Sequence, residues 1–462
     1  MSLNSISPID GRYEKYTKDL AKYFSEAAST KYKIIVEGEY LIVLSETKGV
    51  GLRKLSLKEK NIIRNLYDLN EEGASIINQI ETKGYKNIKA TNHDFKAIEY
   101  YMKERLLETS LKDILEFVHF GLTTWDSTNI AATLALCESL RDVYIPVLED
   151  VIQKIGKLAK ENKNIPMLAR THGQPASPST FGKEFKVFEE RLKRQLKQLK
   201  NKKIQVKLNG ATGNYNALVS SYPKIDWIKL SRDFIKKISQ FRKVDLEVNL
   251  FTTQIEPYDS TIEVFDILRR VNSILINFNQ DLWRYISDGW IGQRAVEGEV
   301  GSSTMPHKIN PWFLENSEGN LGTANALFEF FARKLAVSRL QRDLSDSTVL
   351  RSIGTALGHS LIGFKYLSNQ LGRVAVNKEK TLEALNNHPE VVTEAIQTIL
   401  RREGVEMPYE KLKDLSRGRE ITLADIHSFI DSLEVSSKIK KELKAITPEN
   451  YTGLASKLAG MK

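Results

Sequence analysis

Apolar positions along the chain recur at intervals of three and four residues, over stretches longer than most helices of globular domains. Between Lys183 and Leu208, Phe185, Phe188, Leu192, Leu196 and Leu199 follow one another at this interval, with lysine and arginine on the remaining faces. Such spacing gathers the apolar side chains on one stripe of an α-helix. A second stripe, Phe265, Leu268, Val271, Leu275, Phe278 and Leu282, predicts a helix from Thr261 to about Ser287. A third, Leu134, Leu140, Tyr144, Leu148, Val151, Ile155 and Leu158, predicts a helix from Asp126 to Lys160. Pro146 lies inside that run and should kink or divide it, because proline lacks the N–H that the helical ladder needs. Periodic runs beyond about 25 residues point to a bundle of long helices.

Glycine-bearing segments separate these helices at Thr171–Gly182, Asn209–Asn216 and Gly289–Pro311. No regular strand–helix alternation and no internal repeat is visible. The pattern predicts an all-α fold of three helical domains, with a central long-helix bundle. The expected limits are 1–112 for the N-terminal domain, 113–366 for the central bundle and 367–462 for the C-terminal domain.

Composition narrows the function classes. The chain has 462 residues and a formal net charge of +10, with 68 lysines and arginines against 58 acidic residues. Its one cysteine, Cys137, excludes a disulfide framework or a thiolate-clustered metal site within a single chain. No apolar run is long enough for a membrane span, and residues 1–10 carry no secretory signal pattern, so the cytoplasm is the expected compartment. The positive charge raises nucleic acid as a partner. The basic run Arg191–Lys207, however, reads as the polar faces of one helix without interleaved aromatics, so neither nucleic acid nor membrane is expected as a partner.

Five segments collect groups that packing alone does not require. Asn92-His93-Asp94 precedes an amphipathic stretch, where Asn92 or Asp94 would equally serve as a helix cap. His119 through Asp126 carries the hydroxyls of Thr123 and Thr124, and a threonine cap accounts for part of that composition. His172, between a threonine and a glycine, suits general acid–base work, although a lone histidine is often structural. The run 298–311 combines two glycines, Ser302-Ser303, Lys308 and Asn310-Pro311 into a polar, anion-friendly loop stiffened by its prolines. Arg342, Ser347 and Arg351 place two guanidinium groups and a hydroxyl where a phosphate or carboxylate could be held, solvated surface arginines being the plainer reading.

Gly301-Ser302-Ser303-Thr304-Met305-Pro306-His307-Lys308-Ile309-Asn310-Pro311 resembles the signature loop of the fumarase/aspartase superfamily. The segments His119–Asp126 and Thr171–Gln174 resemble its other two shared regions, in order and spacing. Within the superfamily the chain is similar to the adenylosuccinate lyase family, in its bacterial branch. That similarity is carried by Pro8–Tyr13, Thr91–Asp94, Thr252–Pro257, Gln341–Arg351 and Pro408–Lys413.

The resemblance implies a β-elimination that releases fumarate from a small anionic nucleotide, either adenylosuccinate or its imidazole-carboxamide counterpart SAICAR, and needs no cofactor or metal. It implies His172 as general acid to the leaving nitrogen and Ser302 as base, with Lys308 stabilising the alkoxide. Glu315 would be the carboxylate partner of the acid histidine. Asn92, His93, Asp94, His119, Thr123, Thr124, Gln254 and Asn310 would contact substrate. Arg12, Tyr13, Arg342, Ser347 and Arg351 would hold the phosphate and nucleotide end. It further implies a homotetramer whose active sites are shared between subunits. Thr124, where serine is common, and Ile309, where a basic residue or valine is common, depart from the pattern without removing a required group. Argininosuccinate lyase, fumarase or a non-catalytic structural member are the alternative readings, but substrates without phosphate would leave Arg12, Arg342 and Arg351 without an anionic partner.

Overall fold

The computed structural model describes residues 4–294, 304–305, 307–416 and 421–461. Helices dominate, and the strands among the described residues form three sheets of two strands each. The all-α expectation holds. Contacts divide the chain into two compact units, one of Met1–Leu148, Gln195–Ser273 and Asn320–Ile362, the other of Glu149–Arg194, Ile274–Gly319 and Gly363–Lys462. The division falls inside five helices: Ile145–Glu161, Phe181–Lys200, Asp259–Ser287, Trp312–Leu335 and Ile353–Leu371.

The stripe led by Phe265 forms the predicted helix, Asp259–Ser287. The run containing Pro146 divides into Thr124–Ser139, a π-helical turn at Leu140–Tyr144, and Ile145–Glu161. Proline two residues into the third piece cannot donate to the preceding turn, and a π turn accommodates the interrupted ladder. The expected helix Lys183–Leu208 needs correction. It spans Phe181–Lys200, and Ile204–Val206 is instead a strand paired in parallel with Leu246–Val248. The apolar stripe ends at Leu199, so continued helix would bury nothing further, whereas β-branched Ile204 and Val206 suit a strand.

The first unit is built around the helix Glu26–Glu46, in which every residue from Tyr32 to Ser45 is buried. A helix buried on all sides must satisfy its own polar groups internally. Glu39 does so through two hydrogen bonds from Arg64, at 2.8 and 3.0 Å, and one from Tyr67. In the same unit Phe265 stacks on Phe328 with ring centroids 5.7 Å apart. In the second unit Phe185 and Phe188 pack on Phe278 at 6.2 and 5.1 Å, which is the predicted stripe meeting its neighbour. Buried Asn279 donates to Ser317, and Ser317 donates to the Gly363 carbonyl, so a polar rung crosses this core.

Candidate functional site

The first unit gathers most of the expected substrate contacts. His93 is the N-cap of the helix Asp94–Leu106, its Nδ1 accepting from the Lys96 N–H at 3.3 Å, and its side chain is half exposed. The cap is therefore His93 itself rather than Asn92 or Asp94. Asn92, at φ +48°, turns the chain into that cap. Asp94 is bound by Lys33 at 2.7 Å. Burial alone would raise its pKa, but the Lys33 ammonium and the Phe95 N–H hold the carboxyl below its ordinary range.

His119 sits at φ +62°, a left-handed conformation uncommon outside glycine. Its Nδ1 lies 3.0 Å from Glu37 Oε1, and its ring lies 4.7 Å from Phe95. Burial pulls the imidazole toward neutrality, but the charge and hydrogen bond of Glu37 outweigh this and raise it above the ordinary histidine value. Thr123 precedes the helix Thr124–Ser139, and its N–H donates to Asp126 Oδ2 at 2.9 Å. Both threonines are partly buried.

Asp126 anchors a wholly buried polar cluster. Its carboxylate accepts from Lys207 Nζ at 2.7 Å and from the N–H groups of Asn209 and Gly210, and both ionic side chains are sealed from solvent. Lys207 is thus not on the polar face of a helix, as the basic run implied. It lies beyond the helix end, inside the protein. Burial draws its ammonium below the ordinary lysine range, and Asp126 opposes that pull.

Gln254 and Arg342 meet directly. The Arg342 guanidinium donates to Gln254 Oε1 at 3.3 Å and lies 4.0 Å from the ring centroid of Trp125, a buried side chain. Asp346, raised by burial, stands 3.9 Å from the same guanidinium and accepts from Tyr258 at 3.0 Å. Arg342 Nε is buried with no hydrogen-bond partner among the described residues. Ser347 is partly buried one helical turn before exposed Arg351. Arg12 is also exposed, while Tyr13 is partly buried and its N–H closes a turn on the Pro8 carbonyl at 2.8 Å.

The second unit carries the residues expected to do the chemistry. His172 does not lie in a loop between two long helices. It is at the tip of an antiparallel hairpin, Pro166–Thr171 paired with Gln174–Thr180. His172 and Gly173 form the two-residue turn, at φ +53° and +76°, the positive-φ pair that matches the twist of a tight hairpin. The histidine is consequently presented to solvent. Arg170, two residues back, is held by Asp288 at 2.7 Å and lies over the Trp290 ring at 4.7 Å.

Lys308 is exposed, its N–H bonded to the Met305 carbonyl at 3.1 Å, and Asn310 is partly buried. Glu315, in the first turn of the helix Trp312–Leu335, is exposed and accepts from Trp283 Nε1 at 3.1 Å. Ser302 lies outside the described residues. Sequence reasoning missed Glu37, Trp125, Asp346 and the interior position of Lys207. Trp125 and Asp346 each carried a signal, by standing inside a segment singled out for other groups.

Among the described residues no group of histidine, cysteine and acidic side chains is arranged to hold a metal ion, and no helix is long and apolar enough to cross a membrane.

Comparison with known proteins places these parts. Residues 11–325 match the family model described as lyase, and residues 338–452 match that described as adenylosuccinate lyase C-terminal. The chain is 47% identical to the adenylosuccinate lyase of Dictyostelium discoideum, over 98% of this chain and 97% of that protein. It is 44% identical to the adenylosuccinate lyase of Haemophilus influenzae, over 99% and 98%. Among solved structures it shares its fold with the 3-carboxy-cis,cis-muconate lactonizing enzyme of Pseudomonas putida, at a TM-score of 0.72 and 17% identity over 97% of both chains. A fumarate lyase from Mesorhizobium sp. BNC1 matches at a TM-score of 0.72 and 16% identity, over 96% of both.

Proposed function

The chain belongs to the adenylosuccinate lyase family, and from that premise we propose that it cleaves adenylosuccinate to AMP and fumarate, and SAICAR to AICAR and fumarate, in purine nucleotide synthesis. It is a lyase, and the observation that carries the substrate assignment is the 47% identity sustained over 98% of the chain. The geometry supports it. Arg342 keeps a buried Nε with no partner among the described residues while it lies over Trp125, so it retains donor capacity for an anion.

In the mechanism we infer, a base removes a proton beside a substrate carboxylate, and an acid protonates the departing purine or carboxamide nitrogen. His172 is the acid. Its hairpin tip presents the ring without burying it, which leaves the imidazole free to meet substrate. Ser302 is the base. A free hydroxyl is too weak an acid for this, so Lys308 must stabilise the alkoxide. Glu315 orients His172, and Lys308, Asn310, Thr123 and Thr124 meet the succinyl carboxylates, where negative charge grows in the transition state. Asn92, His93, Asp94, His119 and Gln254 contact substrate. Arg12, Tyr13, Arg342, Ser347 and Arg351 hold the phosphate and nucleotide end.

The same proposal includes the three helical domains, with limits 1–112, 113–366 and 367–462, a cytoplasmic homotetramer with shared sites, and no nucleic-acid or membrane partner. Large apolar side chains left in the open support association, among them Phe251 and Leu340, 91% and 90% exposed. Mixing the protein with adenylosuccinate and following purine ultraviolet absorbance tests the activity. We expect turnover by the parent and a loss of about 10²-fold or more in kcat for His172→Ala and Ser302→Ala. Near-normal turnover by Ser302→Ala would remove the serine from the role of base.

A further inference from the structure

Glu37 has no assigned role, yet its surroundings differ from those of the buried carboxylates Glu99 and Asp126 nearby. Its side chain is 1% exposed on the buried helix Glu26–Glu46. Oε1 accepts from His119 Nδ1 at 3.0 Å and from the hydroxyl of Ser127. Oε2 is buried and finds no donor among the described residues. Neighbouring carboxylates have lysine counter-charges: Glu99 has Lys96 and Lys103 at 2.7 and 3.1 Å, and Asp126 has Lys207 at 2.7 Å. Glu37 has no lysine or arginine partner among the described residues. A buried carboxylate without a cation is costly, and the imidazole of His119 is the group placed to supply one.

His119 is itself held firmly, by its left-handed backbone and by the Phe95 ring. The charged groups that act on it come from three helices: Glu37 on Glu26–Glu46, Glu99 on Asp94–Leu106 and Asp126 on Thr124–Ser139. All three are acidic, so each favours the protonated ring.

We propose that Glu37 is a positioning residue that keeps His119 as an imidazolium, with Nδ1–H committed to Glu37 and Nε2–H presented to an anionic oxygen of the substrate. The proposal rests on reading His119 as a substrate contact and adds the group that sets its charge and tautomer. A charge-assisted donor fixed in this way binds an anion more strongly than a neutral imidazole. A histidine raised above its ordinary value is charged at low pH, and its anion contact fades as pH rises through the raised value.

Selective ¹³C labelling of the histidine rings in the intact protein, assigned with His119→Gln, measures this. In the parent we expect His119 to titrate above about 6.5, the unperturbed value. In Glu37→Gln, which keeps the size and a carbonyl acceptor, it should titrate about one unit lower. A parent His119 titrating at or below the ordinary value overturns the proposal, whether or not the variant folds. Kinetically, the rise of KM with pH should begin about one unit lower in Glu37→Gln, with less effect on kcat. An unchanged KM profile in a folded variant also overturns it. Movement of the His119 resonance by AMP assigns the phosphate, movement by fumarate assigns a carboxylate, and movement by neither refutes the substrate contact. Should the protein fail to turn over adenylosuccinate while His119 still titrates high and responds to Glu37→Gln, the pairing stands and only the substrate reading falls.

Discussion

At the scale of single residues, the interior polar groups divide by what neutralises them. Lys207 and Asp126 share a fully buried ion pair completed by backbone donors, which satisfies the carboxylate on all sides. Removing one partner of such a pair leaves the other charge stranded. Lys207→Met should therefore destabilise the protein by about 3–5 kcal/mol, read as a lower urea midpoint at unchanged slope. A loss below about 1 kcal/mol would place Lys207 among the solvated lysines, where surface pairs contribute that little. Asp126 stood in a segment singled out for its chemistry, but Lys207 looked like one more base in a lysine-rich run. Nothing in its local spacing distinguishes it, because the partner is 81 residues away. Trp125 and Arg342 are separated still more widely in sequence and meet only in the fold.

Among the elements, legibility follows periodicity. The helix Asp259–Ser287 was readable because its apolar stripe repeats for about five turns, and the break near Pro146 because a missing N–H acts locally. The hairpin that carries His172 was not, since two short strands containing three prolines resemble a loop in composition. The packing between elements also turns on single atoms. Gly182, at the start of the helix Phe181–Lys200, passes so close to the end of the helix Ile145–Glu161 that a Cβ would lie 2.3 Å from Lys163 Cα and 2.6 Å from the Ala159 carbonyl oxygen. Both neighbours are backbone and cannot rotate away. Gly182→Ala should cost about 1–3 kcal/mol, visible as a lower melting temperature, despite alanine being the better helix former. An unchanged or higher melting temperature would show that the two helices separate freely.

For the whole molecule, the proposed sharing of sites makes a prediction that no single-chain arrangement would satisfy. If His172 and Ser302 of one site come from different subunits, His172→Ala and Ser302→Ala proteins, each inactive, should regain activity when unfolded together and refolded. Random reassembly of equal amounts would give intact pairs at about a quarter of the sites. No recovery in mixed tetramers, with mass confirmed by light scattering, would place both residues in one chain. The net charge of +10 belongs at this scale too. In the proposed site a few cations, Arg12, Lys308, Arg342 and Arg351, would suffice for a small anionic substrate, and the remainder could at most aid its approach.

The sequence alone determined that the chain is a set of long helices, where the long stripes lie, and which segments are the candidates for chemistry. Those properties are written in neighbours three and four residues apart or in contiguous motifs. Tertiary structure decided what those residues are bonded to: Glu37 to His119, Lys207 to Asp126, Trp125 to Arg342. It also turned the loop of His172 into a hairpin tip. The reason is physical. Helical periodicity and proline effects are local, whereas burial, counter-charge and the ionisation they impose depend on partners that only folding brings within about 3–4 Å.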